Sequence, residues 1–190
     1  MTPGMPERID PSYERHGTSG IIASRNIATG EIVAPLVQPT RTEADFVLHI
    51  QNVLNQAPSE ARRHLFIVDQ LNTHKSESLV RLVAQLEGIN QDTLGIKGKS
   101  GILKNMETRM AFLSDQNHSL AFIYTPKHCS WLNQIELWFS IITRRLLNRR
   151  MSNASVKELE VRIKAFIDFY NEFLMKPFNW TFEGKLLRLA

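Results

Sequence analysis

The spacing of apolar and polar positions changes several times along the chain, and each change predicts an element. Thr18 to Ser24 and Glu31 to Val37 are largely apolar, β-prone runs, and the stretch between them, Arg25 to Gly30, ends on the turn pair Thr29-Gly30. They predict a hairpin. Thr40 and Glu43 have the spacing of a capping box, and Phe46, Val47, Ile50, Val53 and Leu54 then recur at helical intervals, so a helix is predicted over about Thr42 to Gln56. Leu65-Phe66-Ile67-Val68 is a short continuous apolar run, the kind required of a strand buried on both faces, and Asp69 ends it abruptly. From Lys75 to Glu87 the residues Leu79, Val80, Leu82, Val83 and Leu86 share one side, and Gly88 closes the segment as a helix.

Ile89 to His118 is polar and mixed, with Gly95, Gly98 and Gly101 in its first half and a helix expected from Lys104 to Leu113; it reads as an insertion. Leu120 to Tyr124 forms a second apolar strand stopped by Thr125-Pro126. Ser130 is the expected N-cap of a helix from Trp131 to about Asn148, and Ser155 with Glu158 is the capping box of a last helix. Leu159, Ile163, Phe166, Ile167, Tyr170, Phe173 and Leu174 give that last helix its apolar face, and Pro177 ends it. Residues 1–15, with Pro3, Gly4, Pro6 and Pro11 among charged residues, show no period and predict an irregular start or linker. Hairpin, helix, strand, helix, strand, helix describes an α/β fold, a mixed sheet flanked by helices.

Composition narrows the function classes. A chain of 190 residues, 43% hydrophobic, can build one buried core, and no apolar run reaches the length of a membrane helix. Without a secretory stretch at its start, the chain is expected to be intracellular. Its single Cys129 excludes an internal disulfide and a cysteine-rich zinc site, so any metal must be held by oxygen ligands. The net charge of +4 is gathered in two places: Lys97, Lys99 and Lys104 in the glycine-containing stretch, and Lys127, His128, Arg144, Arg145, Arg149 and Arg150 around one helix. Such groups suit phosphate contacts, or are ordinary solvated surface.

Two acids stand out. Asp69 ends a predicted central strand, where α/β sheets gather functional groups; it is equally suited to capping the turn after it. On the helix from Trp131, a wheel places Trp131, Ile135, Trp138, Phe139, Ile142 and Leu146 in one core-facing stripe. Glu136 falls at the margin, on the side of Asn133, Ser140 and Thr143, free to face the sheet edge or to pair with Arg144 or Arg145. His74 and His128 flank the acids with no matching nucleophile, so a histidine-based hydrolase is not indicated.

The string Tyr124-Thr125-Pro126-Lys127-His128-Cys129-Ser130-Trp131-Leu132-Asn133-Gln134-Ile135-Glu136-Leu137-Trp138-Phe139 resembles the third catalytic motif of mariner-related bacterial insertion-sequence transposases, members of the DDE group named for its three catalytic acids. Phe66-Ile67-Val68-Asp69-Gln70-Leu71-Asn72-Thr73-His74-Lys75 resembles the motif of the second acid, and Arg15-His16-Gly17-Thr18, Pro39-Thr40-Arg41-Thr42 and Lys176-Pro177-Phe178-Asn179-Trp180-Thr181 match flanking features. The resemblance implies a ribonuclease H-like catalytic domain over residues 16–190, with the insertion at about 89–118. It further implies two Mg²⁺ or Mn²⁺ ions, ligated by Asp69 and Glu136 and bridged by a first aspartate. Asn72, His74 and Asn133 are then site neighbours, and Lys127, His128, Arg144 and Arg145 contact DNA. The implied reaction is strand cleavage and transfer at insertion-sequence ends in the bacterial cytoplasm, at the nucleoid. Its partners are element-end and target DNA and a further copy of the chain, with no membrane.

The chain departs from that pattern in three ways. Gln70 stands where asparagine is usual, the interval from Asp69 to Glu136 is wide, and the first acid of the family belongs well upstream of Arg15. Asp10, between Ile9 and Pro11, has no strand context. The expectation is therefore an amino-terminally truncated domain lacking its first strand, weakly active or inactive alone. The alternatives are a catalytically silent DNA-binding or oligomerising remnant, or a general ribonuclease H-like nuclease, which would need its own first-strand aspartate.

Overall fold

The computed structural model describes residues 17–147 and 155–179. The expected irregular start, the helix end at Asn148, and Arg149 and Arg150 lie outside them, as does the side chain of Trp131. Strand β1 (Gly20–Arg25) and strand β2 (Ile32–Gln38) form the antiparallel hairpin, with Gly20 opposite Gln38 and a bulge between Ile22 and Ser24. The turn closes through Asn26 N–H donating to Glu31 O and Gly30 N–H donating to Asn26 O. Gly30 has φ of +84°, and a Cβ there would overlap the Lys176 carbonyl. Arg25 Nη2 donates to that same carbonyl at 3.1 Å, so the end of the described chain is strapped to the hairpin turn.

Helix α1 (Glu43–Gln56) starts at a capping box, but two residues later than the expected Thr40–Glu43 box: Thr42 Oγ1 accepts from Asp45 N–H, and the Asp45 carboxylate accepts from Thr42 N–H. The bond from Thr42 N–H, with those from the Thr40 and Thr42 side chains, holds the Asp45 carboxyl down at about 2. Thr42 rather than Thr40 caps because it is the last residue with extended backbone before the helix.

Strand β3 (His64–Val68) and strand β4 (Leu120–Tyr124) pair in parallel, His64 opposite Leu120 and Val68 opposite Tyr124. Among the described residues the four strands form two separate two-stranded sheets rather than one mixed sheet. The expectation that β3 is buried on both faces fails accordingly: Leu65 is 50% exposed, because only β4 lies against the strand. Helix α2 (Glu77–Leu86) is capped by Ser76 and buries Leu79, Val80 and Val83. The glycine-containing stretch is no loose appendage. Its helix α3 (Met106–Leu113) and Leu94, Leu103 and Leu113 join α1, α2, β3 and β4 in the first core, where each fully buried leucine contributes about 1.5–3 kcal/mol.

Helix α4 (Ile135–Arg145) begins later than Trp131 because Ser130–Leu132 forms a separate short helical turn, so Ser130 does not cap it. Helix α5 (Val156–Phe169) is capped by Ser155, whose Oγ accepts from Glu158 N–H, and passes into a wider π-helical turn over Tyr170–Leu174. That wider turn carries Phe173 out of the expected apolar face; it is 63% exposed. Trp138, Ile142, Ile163, Ile167 and Tyr170 form a second core with Ile32 and Val37. The hairpin is thus a layer between α1 on one face and α4 with α5 on the other: Ile22 packs into the first core, Ile21 and Ala23 into the second.

Candidate active site

Asp69 follows the last residue of β3, where the backbone leaves the strand. Its Oδ1 accepts from Leu71 N–H at 3.0 Å and from His74 Nδ1 at 2.9 Å. Burial pushes the His74 imidazole below its ordinary value, outweighing the upward pull of the Asp69 carboxylate. The contact is therefore a hydrogen bond from a neutral ring, with Nδ1 carrying the proton because a carboxylate can only accept. The ring of His74 lies on that of Phe46, centroids 4.4 Å apart, so the first core fixes its plane.

Behind the acid, the ends of β3 and β4 are tied together. Thr125 N–H donates to Val68 O at 2.9 Å, Gln70 Nε2 donates to Thr125 O at 2.6 Å, and the buried Lys75 donates to Gln70 Oε1 at 2.9 Å. Gln70, the departure from the usual asparagine, thus bridges two elements. Tyr124 donates its hydroxyl to His74 O at 2.7 Å, and burial raises its phenol well above the ordinary range. The contacts that Gln70, Lys75, Tyr124 and Phe46 make around the site were not read from sequence, since they cross elements and leave no periodic signal.

Glu136 sits in the first turn of α4, where the exposed backbone N–H groups favour negative charge. Its side chain is exposed and makes no ion pair with Arg144 or Arg145; Arg144 Nε donates instead to Ser140 O. Asp69, His74, Asn133 and Glu136 all line one groove of about 920 Å³ that runs between β1 and β3. Four of the residues singled out from sequence therefore line one groove, and the others do not. Asn72 is exposed on the turn before α2, and Lys127 and His128 are exposed on the loop after β4. Arg144 and Arg145 lie at the far end of α4, roughly 12 Å along the axis from Glu136. There they line a separate hollow of about 550 Å³ with Tyr170, Phe173 and Lys176.

One carboxylate at the carboxyl end of a parallel strand pair and a second along the same open groove, in an α/β scaffold, are groups suited to phosphodiester chemistry. The chain belongs to the DDE superfamily endonucleases, whose family model matches residues 1–160. No curated protein and no solved structure matches it. Endonucleases of this family act on DNA and generally use divalent metals. No helix among the described residues is long and apolar enough to cross a membrane.

The donors present suit such a metal in kind, because hard divalent cations prefer carboxylate oxygens. They fall short in number: among the described residues no group of three or more His, Cys, Asp or Glu is placed to hold a metal ion.

Proposed function

We propose that this chain is the catalytic portion of a mariner-related bacterial insertion-sequence transposase of ribonuclease H-like fold, and that Asp69 and Glu136 are two of its catalytic acids. The observation that carries this reading is that the acids of the two family-like motifs, far apart in the chain, line one groove. Magnesium or manganese, when bound, supplies charge stabilisation at the phosphorus under attack. His74 and Leu71 N–H hold one oxygen of Asp69, which fixes the carboxylate and leaves the other oxygen for a metal ion. Lys127, His128, Arg144 and Arg145 meet DNA phosphates of element ends and target, and they position the duplex without reading its sequence.

The lack, among the described residues, of three acids placed to hold a metal ion also supports a second reading, a DNA-binding or oligomerising form without catalysis. Plasmid nicking and duplex binding test the DNA assignment that both readings share and whether the chain's own residues suffice for cleavage. The unsupplemented chain is expected to nick supercoiled DNA with Mg²⁺ or Mn²⁺ no faster than Asp69→Ala and Glu136→Ala, since misplacing a reacting group by about 1 Å costs on the order of a hundredfold in rate. Duplex affinity is expected to fall steeply with salt and equally for all sequences, with Arg144→Ala/Arg145→Ala lowering the log–log slope by about 0.9 per lost phosphate contact. Sequence-selective binding, or a slope unchanged by the double substitution, would contradict the DNA assignment. Metal-dependent nicking by the chain alone, abolished by both acid substitutions, would show that its own residues complete the site.

A further inference from the structure

We propose that Ser24 and His49 form a nucleophile and base pair at the edge of the groove, which accepts the acyl group of an uncharged carboxylic ester. The pair joins two elements. The Ser24 hydroxyl on β1 donates to Nε2 of His49 on α1 at 2.8 Å, and Nδ1 of the same ring donates to Ala34 O at 2.9 Å. A carbonyl can only accept, so it fixes the ring proton on Nδ1 and leaves the lone pair of Nε2 for the serine. Burial keeps the ring neutral at pH 7, the form from which a base must start. A hydroxyl, an imidazole within hydrogen-bond reach and a third group orienting that imidazole are the parts that activate a serine. His49 thus has the nucleophile that His74 and His128 lack.

The hairpin is shaped around this contact. Ile22 lies opposite Leu36 and Ser24 opposite Val33, so Ala34 and Pro35 together oppose Ala23 alone. Ala34, whose carbonyl holds His49, has φ of +46°. Bulges and left-handed non-glycine residues gather where a side chain must be aimed for chemistry. Ser24 is half-buried and lines the groove, whereas His49, 1% exposed, stands behind it. Asn26 N–H points at β2, donating to Glu31 O, and successive backbone groups of a strand point to opposite sides. The Arg25 N–H therefore points away from β2, at the edge of β1 that lines the groove, one residue after the nucleophile, where it can receive an oxyanion. Ile22, Phe46 and Phe66 line the groove from the first core and suit an apolar acyl chain.

In the reaction Ser24 Oγ bonds to the ester carbonyl carbon while its proton passes to His49 Nε2. The bond from that carbon to the alcohol oxygen then breaks, and the alcohol leaves with the proton. Water next attacks the acyl-serine and gives a proton to His49, and the acid departs as Ser24 Oγ takes that proton back. A carbonyl behind the ring stabilises its charged form less than a carboxylate does, so acylation is slow and is read in a single turnover. Neither Asp69 nor Glu136 takes part, and the inference does not rest on the nuclease reading.

The test uses the full chain in EDTA, so that metal contributes nothing, with p-nitrophenyl hexanoate and a fluorophosphonate probe. Nitrophenolate is expected as a burst of about one equivalent per chain. The fluorophosphonate is expected to phosphonylate Ser24 in the folded chain and not in urea, as located by peptide mass spectrometry. Ser24→Ala is expected to abolish the burst and His49→Gln to slow it by about a hundredfold or more, with urea midpoints showing that each variant folds. Adduct mapping needs no variant and decides the question should either fail to fold. No adduct at Ser24, adducts spread over several serines, labelling of Ser24 that persists in urea, or an unchanged burst in folded His49→Gln would overturn the inference. The pair would then be only a clamp that holds the Ala34 bulge to α1.

Discussion

Asp69 shows how a single residue can be legible in part. Its place at the end of an apolar run marked it as a site candidate, and sequence left open whether it was only a turn cap. The structure shows the turn cap, one oxygen of Asp69 holding the turn through Leu71 N–H and the His74 ring, and the site role is what we propose from the groove. His49 was not legible at all, because a histidine inside an amphipathic helix carries no periodic mark. It is 1% exposed, donates from Nδ1 to Ala34 O at 2.9 Å and accepts at Nε2 from the Ser24 hydroxyl at 2.8 Å. The Ala34 it holds has φ of +46°, a left-handed conformation that the bond helps to maintain. Burial lowers the His49 imidazole below its ordinary value of 6.5, so the folded chain binds fewer protons there than the unfolded one. Stability is then present above the unfolded value and lost as pH falls below it, and His74 adds a slope of the same sign. Urea midpoints measured between about pH 7 and pH 5 are expected to fall, and His49→Gln is expected to flatten that slope. A midpoint independent of pH over this range would show that neither ring is held neutral.

Elements were read more surely than their ends. Strand β4 fell where its apolar run predicted, and the hairpin strands within two residues, since alternation or continuity of apolar side chains is a strong local signal. Helix starts slipped because several capping residues stand close together: Thr40 competed with Thr42, and the turn at Ser130–Leu132 displaced the start of α4. The strap across the hairpin turn had no local signal, since it joins Gly30 to Lys176 across most of the chain. Gly30→Ala is expected to cost at least about 2 kcal/mol, strain from a positive φ plus overlap with the Lys176 carbonyl. Gly88, with φ of +68° and open space around it, isolates the first part, and Gly88→Ala is expected to cost about 1 kcal/mol. Equal losses in chemical denaturation would mean that the strap does not bear on the turn.

At the scale of the whole molecule, the α/β class was legible from the succession of periods, whereas the division into two half-sheets was not. Which strand edges pair depends on contacts between distant segments, and β1 and β3 each read locally as a complete strand. The same division opens the groove and exposes Leu65, so the fold and the candidate site share one cause. The central proposal is that Asp69 and Glu136, lining that groove, serve one divalent-metal site. Titration of the chain with substoichiometric Mn²⁺, followed by paramagnetic broadening of backbone amide resonances, tests it directly. The account predicts that the amides of Leu71 and Glu136 broaden in parallel, and that Asp69→Asn and Glu136→Gln each remove both effects. Broadening near Asp69 with none at Glu136, or broadening at both that survives either substitution, would contradict it.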